Sequence, residues 1–468
     1  MPTVPNHATP SPPLPTDPWQ LALDVAAVPH GGAEALAARQ AQRLHALLAC
    51  AQARSPLWRR RLAGVDPARV RLDALPVLHK AELMRDFDAS LTRPGVTLRA
   101  LRRVLADPQA IGRPCFDGLV AWESSGSQGE PGVYLQDAAA MAVYDALEMQ
   151  RRPLLQPWRR LLDPWLLGER IAFVGATSGH FASTVSVERV RRLNPSLAAR
   201  LHGFDFLQPL AALVAGLRAM APTIVATYPS VALLLADEHE AGRMPLRLAE
   251  LWLGGEALSA PARRRLEQVF GCPCANAYGA SEFLPLASQC RCGRLHLNSD
   301  WVLLEPVDAQ GRAMPPGETG ATTLLTNLAN HLQPLVRLDI GDRTRIGAAP
   351  CGCGSVLPVV EVDGRCDDSL RLAGTAGPVT LTPLALCTVL EDEAGLFDFQ
   401  LEQRGPAELL LHAVASRERQ QALQALAAFL LRHGAPGVRL RAAPPRAADR
   451  LPSGKRRRVI CTAARDAP

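Results

Sequence analysis

The chain has 468 residues, of which 48% are hydrophobic and 21% are charged, and its formal net charge is +6. This balance excludes a disordered, collagen-like or small disulfide-stapled protein, and the length is sufficient for several hydrophobic cores. So mild a positive charge does not by itself indicate nucleic-acid binding.

Residues 1–18 are rich in proline and are expected to form a flexible lead with no secretory signal peptide. The best candidate for a membrane span, residues 207–228, is interrupted by Arg218 and two prolines, so no run offers about 20 apolar residues. Together with 11 cysteines, these features predict a reducing, cytoplasmic location in which thiols are buried or bind metal.

Helices and strands are predicted to alternate through the middle of the chain, which favours an α/β fold. In chain order, the predicted elements are a helical stretch over 30–61, a strand–loop–strand unit over 118–136, a helix after the N-cap Asp137, strands at 171–175, 223–227 and 248–255, helices at 229–243 and 258–270, and a strand-rich stretch over 298–345. Beyond residue 364, the predicted order is helix (383–393), strands (397–402 and 408–413), helix (416–434) and strand (438–441). This order indicates a separate, small α+β unit.

The cationic residues are almost all arginine, because only Lys80 and Lys455 among the 51 cations are lysines. A compact ammonium can do chemistry that a planar guanidinium cannot, which makes a retained lysine a candidate functional residue. The alternative is an accidental surface lysine, and it applies more strongly to Lys80.

Two segments carry residue types suited to phosphates and to a flat ligand. Residues 124–129 (SSGSQG) place hydroxyls and glycines between two predicted strands, although they lack the Gly-Lys-Ser/Thr of a Walker A loop. Gly255 and Glu256 follow a predicted strand, and residues 278–282 (YGASE) offer a ring for stacking and a carboxylate for Mg²⁺. Taken singly, an ordinary turn, a core tyrosine and a paired carboxylate are the alternatives.

Two further segments complete the set. Asp342 ends the run LDIGD, and GRCDD follows at residues 364–368; a carboxylate at a strand end can accept both hydroxyls of a ribose, or it can form an ion pair with Arg343 or Arg345. Lys455 stands in LPSGK, a glycine-flanked loop before three arginines, where a basic nucleic-acid patch and a solvated tail are the alternatives.

In this order, the four segments resemble the adenylate-forming superfamily of acyl-CoA synthetases and adenylation domains, and most closely its phenylacetate-CoA ligase branch. The resemblance covers residues 118–460. It implies a large, multi-subdomain N-terminal domain over 19–364 and a small, mobile C-terminal domain over 365–468. It also implies two half-reactions: a carboxylate attacks ATP to give acyl-AMP and pyrophosphate, and a thiol, typically that of CoA, then displaces AMP.

The resemblance also assigns roles to residues. The implied nucleotide-binding residues are Ser124, Ser125, Gly126, Ser127, Gln128 and Gly129 for the phosphates, Gly255, Glu256, Tyr278, Gly279 and Ser281 for the adenine side, and Asp342 and Arg365 for the ribose. The implied catalytic residues are Lys455, which bridges the attacking carboxylate and the α-phosphate, and Glu282, which holds Mg²⁺. Asp367 would be the hinge of the domain movement.

Two features are less defined by the resemblance. Glu130 stands in the phosphate loop where the family often has lysine. Either the loop amides and arginine supply the positive potential for the phosphates, or the way the protein binds and uses ATP is altered. The acyl pocket is expected near residues 179–182 and 228–230, where His180 either orients the substrate carboxylate or is a hydrogen-bonded core histidine.

Cysteines in two short clusters predict a structural Zn²⁺ site. Closely spaced thiols flanked by glycine can surround a tetrahedral Zn²⁺, and relatives of the phenylacetate-CoA ligase type have similar clusters. The favoured ligands are Cys290, His296, Cys351 and Cys353, with Cys292 as a substitute; free buried thiols are the alternative. Cys272 and Cys274 are expected to be core residues.

The sequence therefore predicts an ATP-dependent aryl-acid–CoA ligase that uses Mg²⁺, with no nucleic-acid or membrane partner. A close alternative transfers the acyl group to a carrier protein. An alternative of another class is a non-catalytic, zinc-stabilised binding protein that holds a nucleotide or nucleic acid, in the latter case through the basic residues 439–458. The sequence does not specify the acid or the oligomeric state.

Overall fold

A computed structural model describes residues 17–124, 131–153, 155–164, 166–365, 370–375, 377–381, 383–445 and 457–461. The α-helices are α1 (Pro18–Ala27), α2 (Ala33–Arg54), α3 (Pro56–Arg61), α4 (Lys80–Arg85), α5 (Phe87–Ser90), α6 (Leu98–Leu105), α7 (Ala138–Arg151), α8 (Pro157–Leu162), α9 (Ala182–Leu193), α10 (Pro195–Ala198), α11 (Leu210–Met220), α12 (Pro229–Glu240), α13 (Ala260–Phe270), α14 (Pro383–Ala394) and α15 (Arg417–Arg432). Short 3₁₀ helices span Val28–His30, Leu72–Ala74 and Pro108–Ala110.

The strands of the first half are β1 (Val120–Glu123), β2 (Val133–Gln136), β3 (Ile171–Gly175), β4 (Leu201–Asp205), β5 (Ile224–Thr227), β6 (Glu250–Gly254), β7 (Cys274–Ala280), β8 (Phe283–Gln289) and β9 (Leu295–Leu297). Those of the second half are β10 (Val302–Val307), β11 (Thr322–Asn327), β12 (Leu338–Asp339), β13 (Asp342–Ile346), β14 (Val360–Arg365), β15 (Leu370–Gly374), β16 (Gly377–Leu381), β17 (Gln400–Gly405), β18 (Glu408–His412), β19 (Arg439–Ala443) and β20 (Val459–Cys461).

A seven-stranded sheet in the order β4-β3-β5-β6-β7-β8-β9 forms the centre of the large domain. Strands β3 to β7 are parallel, whereas β8 and β9 join the edge in antiparallel register. The alternation of short apolar strands with helices predicted this parallel part, and the α/β fold is confirmed. The antiparallel edge was not predicted. Strand β8 follows β7 after a turn of only two residues, so the chain reverses direction there without an intervening helix.

Several helices begin at a residue whose side chain caps the helix, and the sequence alone can predict such caps. The carboxylate of Asp137 accepts a hydrogen bond from the backbone N–H of Ala140 at 2.8 Å and begins α7, as predicted. The Ser416 hydroxyl caps α15 in the same way, at 3.2 Å. By contrast, α4, α5 and α6 were not predicted, because they are short and take much of their definition from packing on the core.

The C-terminal domain has a hydrophobic core of its own. Its four-stranded sheet, in the order β19-β18-β17-β20, packs with α14 and α15 around buried residues from Leu370 to Val459. The predicted small α+β unit is confirmed, although β17 begins three residues later than predicted. None of the helices in the described part of the chain has the length and hydropathy of a membrane span.

Candidate active site

Several of the predicted site segments lie at one edge of the seven-stranded sheet. Strands β5, β6 and β7 are parallel and end at Thr227, Gly254 and Ala280, immediately before residues 228–230, 255–256 and 281–282. In open α/β sheets, ligands bind outside the carboxyl ends of parallel strands. The sheet therefore brings together the segments predicted for the acyl group, adenine and Mg²⁺, although they are up to 54 positions apart in sequence.

Gly279 sets the shape of the β7–β8 hairpin. A Cβ atom at this position would lie 2.2 Å from the carbonyl oxygen of Leu284, so no other residue can occupy it without a backbone shift. This close approach produces an irregular register between Tyr278 and Ala280. As a result, Tyr278 near the end of β7 and Glu282 just before β8 lie on either side of one tight turn.

Tyr278, Asp342 and Arg365 form one hydrogen-bonded group. The Tyr278 hydroxyl donates to Oδ2 of Asp342 at 2.7 Å, and the Arg365 guanidinium lies 3.3 Å from Oδ1. Asp342 begins β13 and pairs with Arg365 on β14, so backbone pairing fixes this geometry. The structure thus pairs Asp342 with Arg365, the two residues predicted together for the ribose, and not with Arg343 or Arg345 as in the alternative interpretation.

Glu282 is fixed by a residue that sequence reasoning missed. The Tyr134 hydroxyl, which belongs to β2, donates to Oε1 of Glu282 at 2.5 Å. The neighbouring backbone is also held, because the indole N–H of Trp122 donates to the Ser281 carbonyl at 2.7 Å and Asn327 donates to the Glu282 carbonyl at 3.0 Å. The β1–β2 hairpin thus orients the carboxylate proposed for Mg²⁺.

Lys80 also contacts the candidate site, although the sequence assigned it no role and favoured an accidental surface lysine. Its ammonium donates to the Ser124 hydroxyl at 3.1 Å, and that hydroxyl also accepts from the backbone N–H of Gly132 at 2.9 Å. Lys80 is the first residue of α4, and Leu78 just before it forms a parallel bridge with Leu338. Its rarity as a lysine was the one signal in the sequence that could have identified it.

The half-buried environment shifts the pKa of several of these groups. Burial lowers the pKa of the Lys80 ammonium, and attraction by Glu282 opposes this effect while repulsion by Arg365 adds to it. Burial also raises the pKa of Tyr134 and Tyr278 well above the ordinary value, and the adjacent carboxylates raise both further. Both phenols therefore stay protonated and remain hydrogen-bond donors.

Glu256 contacts the start of α12, the helix that precedes it in the chain. Its two carboxylate oxygens accept from the backbone N–H and the hydroxyl of Ser230, both at 3.0 Å, in the first turn of α12. Gly255 precedes it with a φ of +77°, a conformation that favours glycine. The predicted adenine segment and the predicted acyl segment are thereby joined by direct hydrogen bonds.

His180 behaves as a core histidine. It is 3% exposed, and its Nε2 donates to the carbonyl of Asp107 at 2.9 Å. A ring nitrogen engaged in this way supports the structural alternative over a role in orienting a carboxylate. The remaining predicted residues, Ser125 to Gly129, Asp367 and Lys455, lie outside the described part of the chain, as does Glu130.

The four favoured metal ligands are brought together. The ligand atoms of Cys290, His296, Cys351 and Cys353 all lie within 4.8 Å of one another. The Sγ atoms of Cys290 and Cys351 are 3.8 Å apart, and Cys353 Sγ is 3.3 Å from His296 Nε2. Cys292 is exposed and is not among the four. Cys272 and Cys274 are buried in the core, as predicted.

Comparison with known proteins identifies the architecture. The AMP-binding enzyme family model matches residues 193–323. The structure of 2-hydroxyisobutyryl-CoA ligase in the postadenylation state, in complex with R3-HIB-AMP, is 21% identical, with coverage of 94% of this chain and 92% of that one and a TM-score of 0.67. The chain has the adenylate-forming fold. The predicted resemblance to that superfamily is confirmed at the level of the fold, and its phenylacetate-CoA ligase branch stays a prediction.

Two further structures share the adenylate-forming fold. 2-Hydroxyisobutyryl-CoA ligase with 2-HIB-AMP and CoA in the thioesterification state is 21% identical, with coverage of 93% of this chain and 91% of that one and a TM-score of 0.53. An anthranilate CoA ligase in complex with anthranoyl-AMP is 15% identical, with coverage of 72% and 64% and a TM-score of 0.50. No curated protein sequence matches the chain.

Replacing Gly279 by Ala should destabilise the fold, because the new methyl group must displace the Leu284 carbonyl. Overpacking of this kind typically costs about 1–3 kcal/mol of unfolding free energy. Chemical denaturation measures the change, and Gly437→Ala is the control, since a Cβ there meets nothing within 4 Å. Equal stability of the two variants would contradict the tight turn.

Proposed function

We propose that this chain is an ATP-dependent acid–thiol ligase that converts a carboxylic acid to acyl-AMP and transfers the acyl group to CoA. The observation that carries the proposal is that Tyr278–Asp342–Arg365, Tyr134–Glu282 and Lys80–Ser124 form three adjoining polar groups within the adenylate-forming fold. The three groups also lie close enough to interact electrostatically, since Lys80 is attracted by Glu282 and repelled by Arg365, and Tyr278 faces Asp342 and Glu282.

Asp342 is the proposed ribose ligand. A carboxylate has about four lone-pair sites, so hydrogen bonds from Tyr278 and Arg365 leave acceptor capacity for two ribose hydroxyls. These two donors also hold the carboxylate in one orientation before the nucleotide binds. Such fixed geometry reduces the entropy lost on binding.

Glu282 is the proposed ligand of Mg²⁺. Magnesium prefers carboxylate and phosphate oxygens, and Tyr134 holds Oε1 of Glu282, which orients the second oxygen for a cation. When bound, the metal would offset charge on the pyrophosphate leaving group. The Tyr134 hydroxyl would keep the carboxylate aligned, whether or not the metal is present.

Lys80 is proposed to supply positive charge for the phosphates of ATP. Ser124 opens the loop predicted to hold those phosphates, and Lys80 donates to its hydroxyl. Glu130 stands in that loop where the family often has lysine, so the ammonium from α4 can provide the missing cation. Fixed charges of this kind are usually the largest contribution to catalysis of phosphoryl and adenylyl transfer.

The substrate is proposed to be an aryl acid, as in the phenylacetate-CoA ligase branch. The acyl segment after β5 begins with Tyr228, whose ring packs edge to face on Phe206 with centroids 5.9 Å apart. Aromatic walls favour an aromatic guest in the same edge or offset geometry. A cytoplasmic location and the hinge at Asp367 stay predictions.

A structural Zn²⁺ is proposed for Cys290, His296, Cys351 and Cys353. Zinc–sulfur bonds of about 2.3 Å in a tetrahedron place two sulfurs about 3.8 Å apart, which is the separation of Cys290 and Cys351. His296 donates from Nδ1 to the Leu357 carbonyl at 2.6 Å, so Nε2 presents its lone pair toward Cys353. The metal would join the β8–β9 hairpin to the loop between β13 and β14.

Acid-dependent pyrophosphate release tests the ligase. With ATP and Mg²⁺, we expect release on addition of aryl acids in preference to aliphatic ones, and AMP and acyl-CoA on addition of CoA. Lys455→Ala should lower release by about a hundredfold or more while ATP binding survives. If AMP release required a carrier protein and did not respond to CoA, the acyl acceptor would be the carrier protein, as in the alternative interpretation. Salt-dependent nucleic-acid affinity without ATP binding would contradict the proposal.

Substitutions of Lys80 test the phosphate-binding role. Lys80→Ala should lower kcat/KM for ATP by about a hundredfold, because one fixed charge is lost, whereas Arg85→Ala on the exposed side of α4 should not. Since burial lowers the pKa of Lys80, the wild-type rate should fall at high pH as the ammonium deprotonates. Lys80→Arg should move that fall to higher pH. Wild-type kinetics in Lys80→Ala would contradict the assignment.

Metal analysis tests the zinc site. We expect about one zinc per chain, lost in Cys353→Ser together with a decrease in melting temperature of about 5 °C or more. Cys292→Ser is the matched control, because this exposed thiol lies outside the four-residue cluster. Zinc retention in Cys353→Ser with loss in Cys292→Ser would show that the ligand set is wrong.

A further inference from the structure

A buried carboxylate on the C-terminal domain joins it to the large domain. Glu391 lies on α14 and its side chain is 0% exposed. One of its oxygens accepts a hydrogen bond from the hydroxyl of Ser259 in the large domain, and the other accepts from the Arg458 guanidinium at 2.6 Å. The contact therefore links Ser259, Glu391 and Arg458 in one chain of hydrogen bonds.

Each end of this chain is itself held in place. The Ser259 hydroxyl accepts from the backbone N–H of Ala262 at 3.1 Å, so it caps α13 while it donates to Glu391. The guanidinium of Arg458 lies 4.2 Å from the ring centre of Phe399 and donates to the carbonyl of Phe397 at 2.9 Å. Neither end can shift without losing several contacts.

The charges at this junction also connect the two domains. Burial lowers the pKa of Arg458, but attraction by Cys387, Glu391 and Glu256 outweighs it, so the pKa lies above its ordinary value. Glu256 belongs to the large domain and to the predicted adenine segment. Arg458 is consequently attracted by one carboxylate of its own domain and by another beside the nucleotide segment.

The other contacts across the junction are more exposed. Arg264 and Asp392 form an ion pair at 2.7 Å with side chains 62% and 53% exposed, and Arg265 lies 4.6 Å from the ring centre of Phe397. Exposed ion pairs are screened by solvent and contribute little, whereas a hydrogen bond to a buried carboxylate is among the stronger polar contacts. The Ser259–Glu391 contact is therefore the strongest polar contact described at this junction.

We propose that the Ser259–Glu391–Arg458 chain is a positioning contact that holds the C-terminal domain for formation of acyl-AMP and is released before thioester formation. The proposal rests on the proposed ligase function. Arg458 is three positions after the predicted catalytic Lys455 and Ser259 is three positions after Glu256, so the contact ties together the two segments assigned to the first half-reaction. The overall arrangement is also closer to the postadenylation structure of 2-hydroxyisobutyryl-CoA ligase than to its thioesterification structure.

The release follows from the domain membership of these residues. Glu391 and Arg458 move together with the C-terminal domain, whereas Ser259 and Glu256 stay with the large domain. A rotation of the domain therefore breaks the Ser259–Glu391 hydrogen bond and separates Arg458 from Glu256, together with the more exposed contacts of Arg264 and Arg265. The hydrogen bond between Glu391 and Arg458 is kept, so the buried carboxylate retains a partner in both arrangements.

Substitutions of Ser259 separate helix capping from the domain contact. Ser259→Asp keeps a good N-cap for α13 but places a second carboxylate against Glu391. Ser259→Thr keeps both the cap and the hydroxyl donor. Arg264→Ala removes the exposed ion pair at the same junction and is the control.

Two half-reactions are measured for each variant: ATP–pyrophosphate exchange with the acid, and CoA transfer from supplied acyl-adenylate. We expect Ser259→Asp to lower exchange at least tenfold, with a threefold change or less in CoA transfer and an unchanged melting temperature. Ser259→Thr and Arg264→Ala should stay within threefold of wild type in both assays. Amide hydrogen exchange of α14 should rise only in Ser259→Asp.

The outcomes distinguish this inference from the ligase proposal. If the wild-type protein catalyses acid-dependent ATP–pyrophosphate exchange and Ser259→Asp catalyses it equally well, the positioning role is overturned and the ligase proposal stands. A parallel loss of both half-reactions in Ser259→Asp would also overturn it, since that loss indicates a general structural role. A wild-type protein with no acid-dependent exchange would overturn the ligase proposal and this inference with it.

Discussion

The candidate site depends on the hydrogen bonds that hold two partly buried carboxylates, those of Glu282 and Asp342, in fixed orientations. Burial disfavours a charged carboxylate unless hydrogen bonds and opposite charges compensate. Here, phenol hydroxyls donate to Glu282 and to Asp342, and Lys80 and Arg365 supply the positive charge. The proposed ribose and magnesium sites rest on this arrangement of two oriented carboxylates beside two cations.

Local chemistry explains which parts of the structure the sequence could predict. The Asp137 cap and the apolar strands of the sheet are encoded within a few neighbouring residues, and each was predicted close to its observed position. The carboxyl ends of β5 to β7 bring their loops to one edge of the sheet, but the candidate nucleotide segments were grouped through their resemblance to the superfamily. The tetrad of Cys290, His296, Cys351 and Cys353 was likewise predicted as a set.

Long-range contacts explain what the sequence could not predict. Lys80 is 44 positions before Ser124, and Tyr134 is 148 positions before Glu282, so no local pattern relates either pair. The antiparallel edge of the sheet and the Ser259–Glu391 contact depend in the same way on how finished elements pack. His180 is a case in which a long-range contact argues against a predicted role. The histidine was expected beside the acyl pocket, but its Nε2 donates to the backbone carbonyl of Asp107.

The bridge between Leu78 and Leu338 gives the N-terminal helical region a particular importance. Its backbone hydrogen bonds, at 3.0 and 2.9 Å, attach the residues before α4 to the segment that leads into Asp342. A region that precedes the superfamily-like sequence motifs therefore contributes an ammonium directly to the candidate site. Anyone who exchanges the first hundred residues between such proteins, for instance to improve expression, would also exchange the ammonium that contacts Ser124.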